Sequence, residues 1–178
     1  WRVLGAMNTD YFSTATGVPM GLSIEDGVYK SSPEGFGTIA VVDGAMEYIS
    51  TPEITMTLTH DNTGEATVIP YFNKWRTVGS LYLLNRDFST VSTRTGGSAG
   101  WMVRLKLTGQ DQGKTMALNS TLHLEVTELL QTDQATAIGE DEYILTAQSG
   151  SQWDSLYETF QVGDTVTLSV DCKNDALS

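Results

Sequence analysis

The residues with the greatest chemical reach lie close together near the start of the chain, in the run Asn8-Thr9-Asp10-Tyr11-Phe12. Asp10 is a carboxylate beside two aromatic residues, and rings so placed can both desolvate an acid and stack on the face of a sugar. The Asn8 amide can donate to a phosphate or a sugar hydroxyl. Far along the chain, Arg76 carries a planar guanidinium whose paired N–H groups suit two phosphate oxygens. The same residues admit a plainer use: Tyr11 and Phe12 as core, Asp10 as the cap of the following Ser/Thr turn, and Arg76 as a solvated surface charge. Spacing alone does not choose between the two.

Other polar groupings point less clearly to chemistry. His60 and His123 sit inside alternating, strand-like runs and are expected at the surface or the core edge, with metal ligation the weaker option. Cys172 is the only cysteine, which excludes an intrachain disulfide and a cysteine-based metal site; with no base beside it, it is expected to be a small apolar filler. Asp61-Asn62-Thr63-Gly64-Glu65 has oxygen donors without the spacing of an EF-hand loop and is expected to be a turn. Glu140-Asp141-Glu142 is expected to be a solvated loop. Trp75, Trp101 and Trp153 would make a sugar platform if exposed together, but tryptophans in a chain of this size more often pack in the core or at its edge. No Ser-His-Asp arrangement, P-loop or dinucleotide fingerprint is present, and neither a metal nor a cofactor is expected.

Composition bounds the partners. At 178 residues, with 40% hydrophobic and 18% charged residues, the chain can bury a real core. A formal charge of −12 argues against nucleic acid and against an anionic membrane surface, both of which need clustered Lys and Arg. No apolar run is long enough to span a bilayer as a helix, so no membrane insertion is expected. The chain opens at Trp1 rather than an initiator Met and is expected to be a mature fragment cut from something longer.

The elements that would position these residues are short strands. Asp26-Gly27, between residues 22–25 and 28–30, and Asp43-Gly44, between 36–42 and 45–49, are hairpin-turn signals. After Pro52 the strands lengthen. In 53–61, Ile54, Met56 and Leu58 alternate with threonines, and in 121–129, Leu122, Leu124 and Val126 alternate with His123, Glu125 and Thr127. Further strands are expected at 2–7, 66–72, 80–84, 101–107, 143–147 and 165–172. The spacing of Trp153, Leu156, Tyr157 and Phe160, with a serine ahead of them, predicts a short helix within 151–160. Residues 90–100 and 110–114 read as a Ser/Thr/Gly loop and a polar turn. The fold class expected is therefore mainly β with one or two short helices: a hairpin-rich N-terminal segment, 1–52, followed by a β-sandwich- or barrel-like body, 53–178.

Between Ala6 and Gly44 three motifs follow in order: the small-x-Asn-x-Asp-aromatic-aromatic core, a TGVPMG loop at 16–21, and a strand ending in Asp26-Gly27. Asn8, Asp10, Tyr11, Phe12, Gly17, Pro19, Gly21, Asp26 and Gly27 together resemble the opening of the phosphodiester glycosidase family. That family includes the enzymes that remove N-acetylglucosamine from a phosphodiester to uncover mannose 6-phosphate, and bacterial proteins described as acting in exopolysaccharide biosynthesis. Asn73, Arg76 and the apolar Leu81-Tyr82-Leu83-Leu84 are similar to a second segment of the bacterial members.

The resemblance implies an extracytoplasmic, secreted or cell-surface hydrolase acting on sugar-1-phosphodiesters. Asp10 and Asn8 would be its catalytic residues, and Arg76, Asn73 and Tyr11 would bind the carbohydrate or sugar-phosphate substrate. The family's late Gly-rich motif contains an Asp, which Thr95-Gly96-Gly97-Ser98 lacks. The expectation is then that 1–52 opens the hydrolase domain, that 53–178 is an insertion or module, and that the catalytic C-terminal half lies outside this chain. The surface left to meet it would be apolar and would invite self-association. The alternative reading is a non-catalytic β-sandwich module that binds glycan or serves as a structural part of a surface protein.

Overall fold

A computed structural model of the chain describes residues 12–42, 45–89, 93 and 99–177. The strand expected at 2–7, the residues Asn8, Asp10 and Tyr11, the Asp43-Gly44 turn and the loop at 95–98 lie outside the described residues.

The chain is mainly β, with strands over 46% of it and helix over 4%. Two hairpins come first: β1 (Ser23–Glu25) with β2 (Val28–Ser31), then β3 (Thr38–Val42) with β4 (Ala45–Ile49). Asp26 and Gly27 hold φ of 51° and 77°, and Glu25 pairs with Val28, so the Asp-Gly signal makes a two-residue turn whose twist matches its strands. The remaining strands are β5 (Ile54–His60), β6 (Ala66–Val68), β7 (Tyr71–Phe72), β8 (Leu81–Leu84), β9 (Gly100–Leu107), β10 (Ser120–Thr132), β11 (Glu142–Gln148) and β12 (Thr165–Cys172). They form one curled sheet in the order β6-β5-β12-β10-β9-β11-β8-β7, antiparallel throughout except for the β7–β8 pair.

Pro70 explains the curl. The sequence predicts one strand over 66–72, but a proline has no N–H for a ladder. The run divides into β6, paired to β5 at one edge of the sheet, and β7, paired to β8 at the other. Only Ile69 and Pro70 link the two edges, so Val68 and Tyr71 are at most roughly 11 Å apart. The sheet must bend until its edges nearly meet, which is the barrel-like alternative of the expected body.

Alternation then sorts the side chains. Met56, Leu58, Leu122, Leu124, Val126, Val166 and Leu168 point inward and join Trp101, Val103, Leu105, Leu83 and Leu145 in one interior cluster. His123 and the β5 threonines face outward, as the periodicity predicts. The three adjacent strands β8, β11 and β9 are buried on both faces, because Tyr82, Leu84, Met102 and Ile144 form a second cluster outside the barrel with Val18, Phe88 and Ile138. The helix is shorter than its apolar spacing suggests. One turn, α1 (Asp154–Tyr157), forms without a side-chain cap, and Trp153, Leu156, Tyr157 and Phe160 pack on the interior cluster. Too few residues follow to propagate it before the turn at Gln161–Asp164, where Asp164 N–H donates to Gln161 O at 3.1 Å.

Gly100, at the start of β9, is where the backbone needs the absence of a side chain. A Cβ there would overlap the Arg76 guanidinium and lie 2.6 Å from the Ala147 carbonyl, whereas one on Gly109 would meet open space. Gly100→Ala is expected to cost about 1–3 kcal/mol and Gly109→Ala no more than about 0.5 kcal/mol, read from urea midpoints. Equal losses at the two sites would contradict the packing described.

Candidate functional site

The 12–21 loop is ordered by its own backbone and then by two anchors. Phe12 bridges to Pro19, Ser13 N–H donates to Val18 O at 3.0 Å, and Gly17 N–H donates to Ser13 O at 2.6 Å. Gly17 sits at φ 72°, a conformation that costs a residue with a Cβ. Val18 is the apolar anchor, inserted into the second cluster against β8, β9 and β11. Lys74 is the polar one. It is only 1% exposed, and its ammonium donates to Pro19 O at 2.7 Å and Gly21 O at 2.9 Å. Lysine is almost never buried so fully without partners, and here the carbonyls of the loop supply them.

Asn73 and Arg76, expected to bind substrate, flank Lys74 and are put to other uses. Asn73 is buried at φ 53°, and its Nδ2 donates to Lys30 O at 2.7 Å and Asn85 Oδ1 at 2.8 Å. Its Oδ1 accepts from Asn85 N–H at 2.9 Å. Both amide hydrogens thus tie β2 to the turn after β8. Arg76 is 8% exposed, neither a solvated charge nor an open clamp. Its Nη1 donates to Thr146 Oγ1 at 3.0 Å and Ala147 O at 3.3 Å, closing the end of β11. Burial lowers its pKa from the ordinary arginine value, opposed by the Tyr82 phenol. The guanidinium thus ties the segment before β8 to the end of β11.

Two hollows flank the loop and share Val18 and Pro19. The larger, an open groove of about 530 Å³, is lined by Phe12, Met20, Glu34, Lys74, Trp75 and Thr77. Phe12 is 50% and Trp75 40% exposed, so aromatic surface faces solvent within the groove. Asn8, Asp10 and Tyr11 directly precede Phe12 in the chain. The smaller hollow, about 250 Å³, holds the Lys30–Asp87 ion pair, 2.7 Å, beside Phe88 and Asn73. The sequence offered no signal for Lys74: it is one of ten Lys and Arg residues, and nothing in its neighbours' spacing marks it for burial.

The other titratable groups are structural. His60, nearly buried beside Phe160, bonds through Nε2 to Asp164 Oδ2 at 3.0 Å. The Gln161 N–H, then His60 and Asn62, hold the Asp164 carboxyl below the usual range against the opposing effect of its burial. His123 is half exposed and bonds through Nδ1 to Asp111 Oδ2 at 2.7 Å. Asp111 accepts from Lys114, then from the His123 backbone and ring, and these bonds hold its carboxyl far below the usual range. Glu142 pairs with Arg104 at 2.6 Å and Glu140 with Arg86 at 3.0 Å, so the acidic run at 140–142 serves ion pairs. Among the described residues no group of three His, Cys, Asp or Glu is placed to hold a metal. Trp101 is buried with its indole N–H on Asp154, 3.2 Å, and Trp153 donates to Gly79 O at 3.3 Å, so the tryptophans form no common platform. Cys172 is half-buried, its thiol 3.7 Å from Asn174 O.

No protein-family model matches the sequence, and no curated protein matches it. Its fold is similar to that of a hypothetical protein from Synechocystis, with a TM-score of 0.70 and 16% identity, over 96% of this chain and 29% of that one. It is also similar to a presumed exported protein from Burkholderia pseudomallei K96243, with a TM-score of 0.59 and 12% identity, over 93% of this chain and 36% of that one. At these identities the likeness is one of fold. The chain spans roughly a third of the length of either neighbour. Among the described residues no helix is long and apolar enough to cross a membrane.

Replacing the polar anchor tests how the loop is held. Lys74→Met keeps the length of the stem but leaves the Pro19 and Gly21 carbonyls without their donor. It is expected to lower stability by about 1–3 kcal/mol in urea titration and to expose the loop to limited proteolysis ahead of the barrel. Unchanged stability with an equally resistant loop would show that Lys74 does not anchor it.

Proposed function

We propose that this chain belongs to an extracytoplasmic hydrolase that cleaves sugar-1-phosphodiesters in the processing of glycan or exopolysaccharide, and that its substrate lies in the groove beside the 12–21 loop. The observation that carries the reading is the pair of hydrogen bonds from Lys74 to Pro19 and Gly21, which span 55 and 53 residues of sequence. They join the two stretches that resemble phosphodiester glycosidases, the TGVPMG loop and the segment from Asn73 to Arg76, at the wall of one groove.

In this reading water adds across the bond between the anomeric carbon and the phosphate oxygen, giving a free sugar and a phosphomonoester. Asp10 supplies the proton to the leaving oxygen, and Asn8 donates its amide to the phosphate. Tyr11, with the exposed rings of Phe12 and Trp75, offers apolar faces on which a sugar ring stacks. The exported description of one fold neighbour supports an extracytoplasmic setting.

A second reading, a glycan-binding module without catalysis, is favoured by Phe12 and Trp75 lining the same groove. Trp101 is removed from that reading by its burial.

A synthetic sugar-1-phosphodiester with a chromogenic leaving group separates them. Hydrolysis by the wild-type full-length polypeptide is expected to fall about 100-fold or more in Asp10→Asn, while Trp75→Ala raises KM. An unchanged rate in Asp10→Asn would remove that residue from the chemistry. No hydrolysis, with glycan binding that Trp75→Ala abolishes, would establish the module instead.

A further inference from the structure

The β3–β4 hairpin stands apart from the barrel ladder and exposes an apolar face. Its register pairs Ile39 with Tyr48 and Val41 with Met46, so these four side chains share one side of the ribbon. All four are exposed, Met46 at 79%, and Phe36 just before the ribbon is exposed as well. The opposite side carries Ala40 and Ile49, both buried. A two-stranded ribbon is marginal in water without a third layer on its apolar face, and a contiguous apolar patch of this kind marks a contact surface.

We infer that this face is the seat of a further domain of a longer polypeptide, one that presents an apolar surface of its own. The two solved structures described above embed this fold in chains about three times as long, since it covers 29% of one and 36% of the other. β3 also packs against the 3-10 turn Asp175–Leu177, which therefore lies beside the ribbon. A second copy of this chain is the poorer occupant, because each copy carries a formal charge of −12 and the two repel.

Methionine oxidation by peroxide, followed by peptide mass spectrometry, reads the face directly. Met46 lies within it, and Met102, buried at 0% in the barrel wall, is an internal reference. In the isolated 178-residue chain Met46 is expected to oxidise at the rate of a free methionine. In the natural full-length polypeptide its rate is expected to fall about tenfold or more, because oxidation follows exposure. Val41→Lys in the full-length polypeptide should restore the fast rate while Met102 stays protected. Equal Met46 rates in the two proteins, or a natural polypeptide ending at Ser178, would overturn the inference. So would protection in the isolated chain that grows with its concentration, which would assign the face to a second copy.

Discussion

The two-residue link Ile69-Pro70 is the constraint on which the architecture rests. It obliges one edge of an eight-stranded sheet to lie near the other, and the sheet meets that demand by curling. Curling places every second residue of each strand in one interior, so a single cluster reaches from Met56 on β5 to Leu83 on β8. It also creates a requirement outside the barrel. β8, β9 and β11 carry apolar side chains on their outer face too, and Tyr82, Leu84, Met102 and Ile144 need a cover. Val18, Phe88 and Ile138 provide it, and the 12–21 loop is therefore a piece of core as well as a wall of the groove.

Three buried polar side chains within four positions, Asn73, Lys74 and Arg76, hold that cover in place. Each reaches a different element: Asn73 the Lys30 carbonyl and Asn85, Lys74 the loop, Arg76 the end of β11. Hydrogen bonds from charged donors contribute about 1.5–3 kcal/mol each, and removing one partner leaves buried carbonyls unsatisfied. The segment between β7 and β8 thus works as a polar keystone. The groove wall is built on this keystone, since Lys74 lines the groove and bonds the Pro19 and Gly21 carbonyls of the loop.

Much of the β framework was legible in the sequence because burial on one face leaves a period of two. β12 matches its expected span at both ends, and the Asp26-Gly27 turn forms where the dipeptide calls for it. The division at Pro70 and the short α1 were hidden by apolar spacing that ran through a break in hydrogen bonding. The candidate site was legible only in outline. Phe12 and the TGVPMG loop do line a groove, but Asn73 and Arg76 look in sequence like polar residues free to meet a ligand. Their partners, Asn85, Thr146 and Ala147, lie 12 to 71 residues away, and that pairing exists only in the fold. Lys74 left no trace at all, since burial of a charge depends wholly on acceptors brought from elsewhere. The ribbon face on β3–β4 follows the same logic in reverse: its alternation reads as an ordinary half-buried hairpin, and only the fold shows that nothing described here covers it.

The central claim, that the 12–21 loop is part of the folded core and so presents a preformed groove, is tested most directly by native-state amide hydrogen exchange at Ser13 and Gly17, whose N–H groups are bonded within the loop. The account predicts exchange slowed about a hundredfold or more relative to an unprotected amide, with the protection lost in Val18→Ser while the β10 amides remain slow. Exchange of both loop amides at the unprotected rate in the wild-type protein would contradict it.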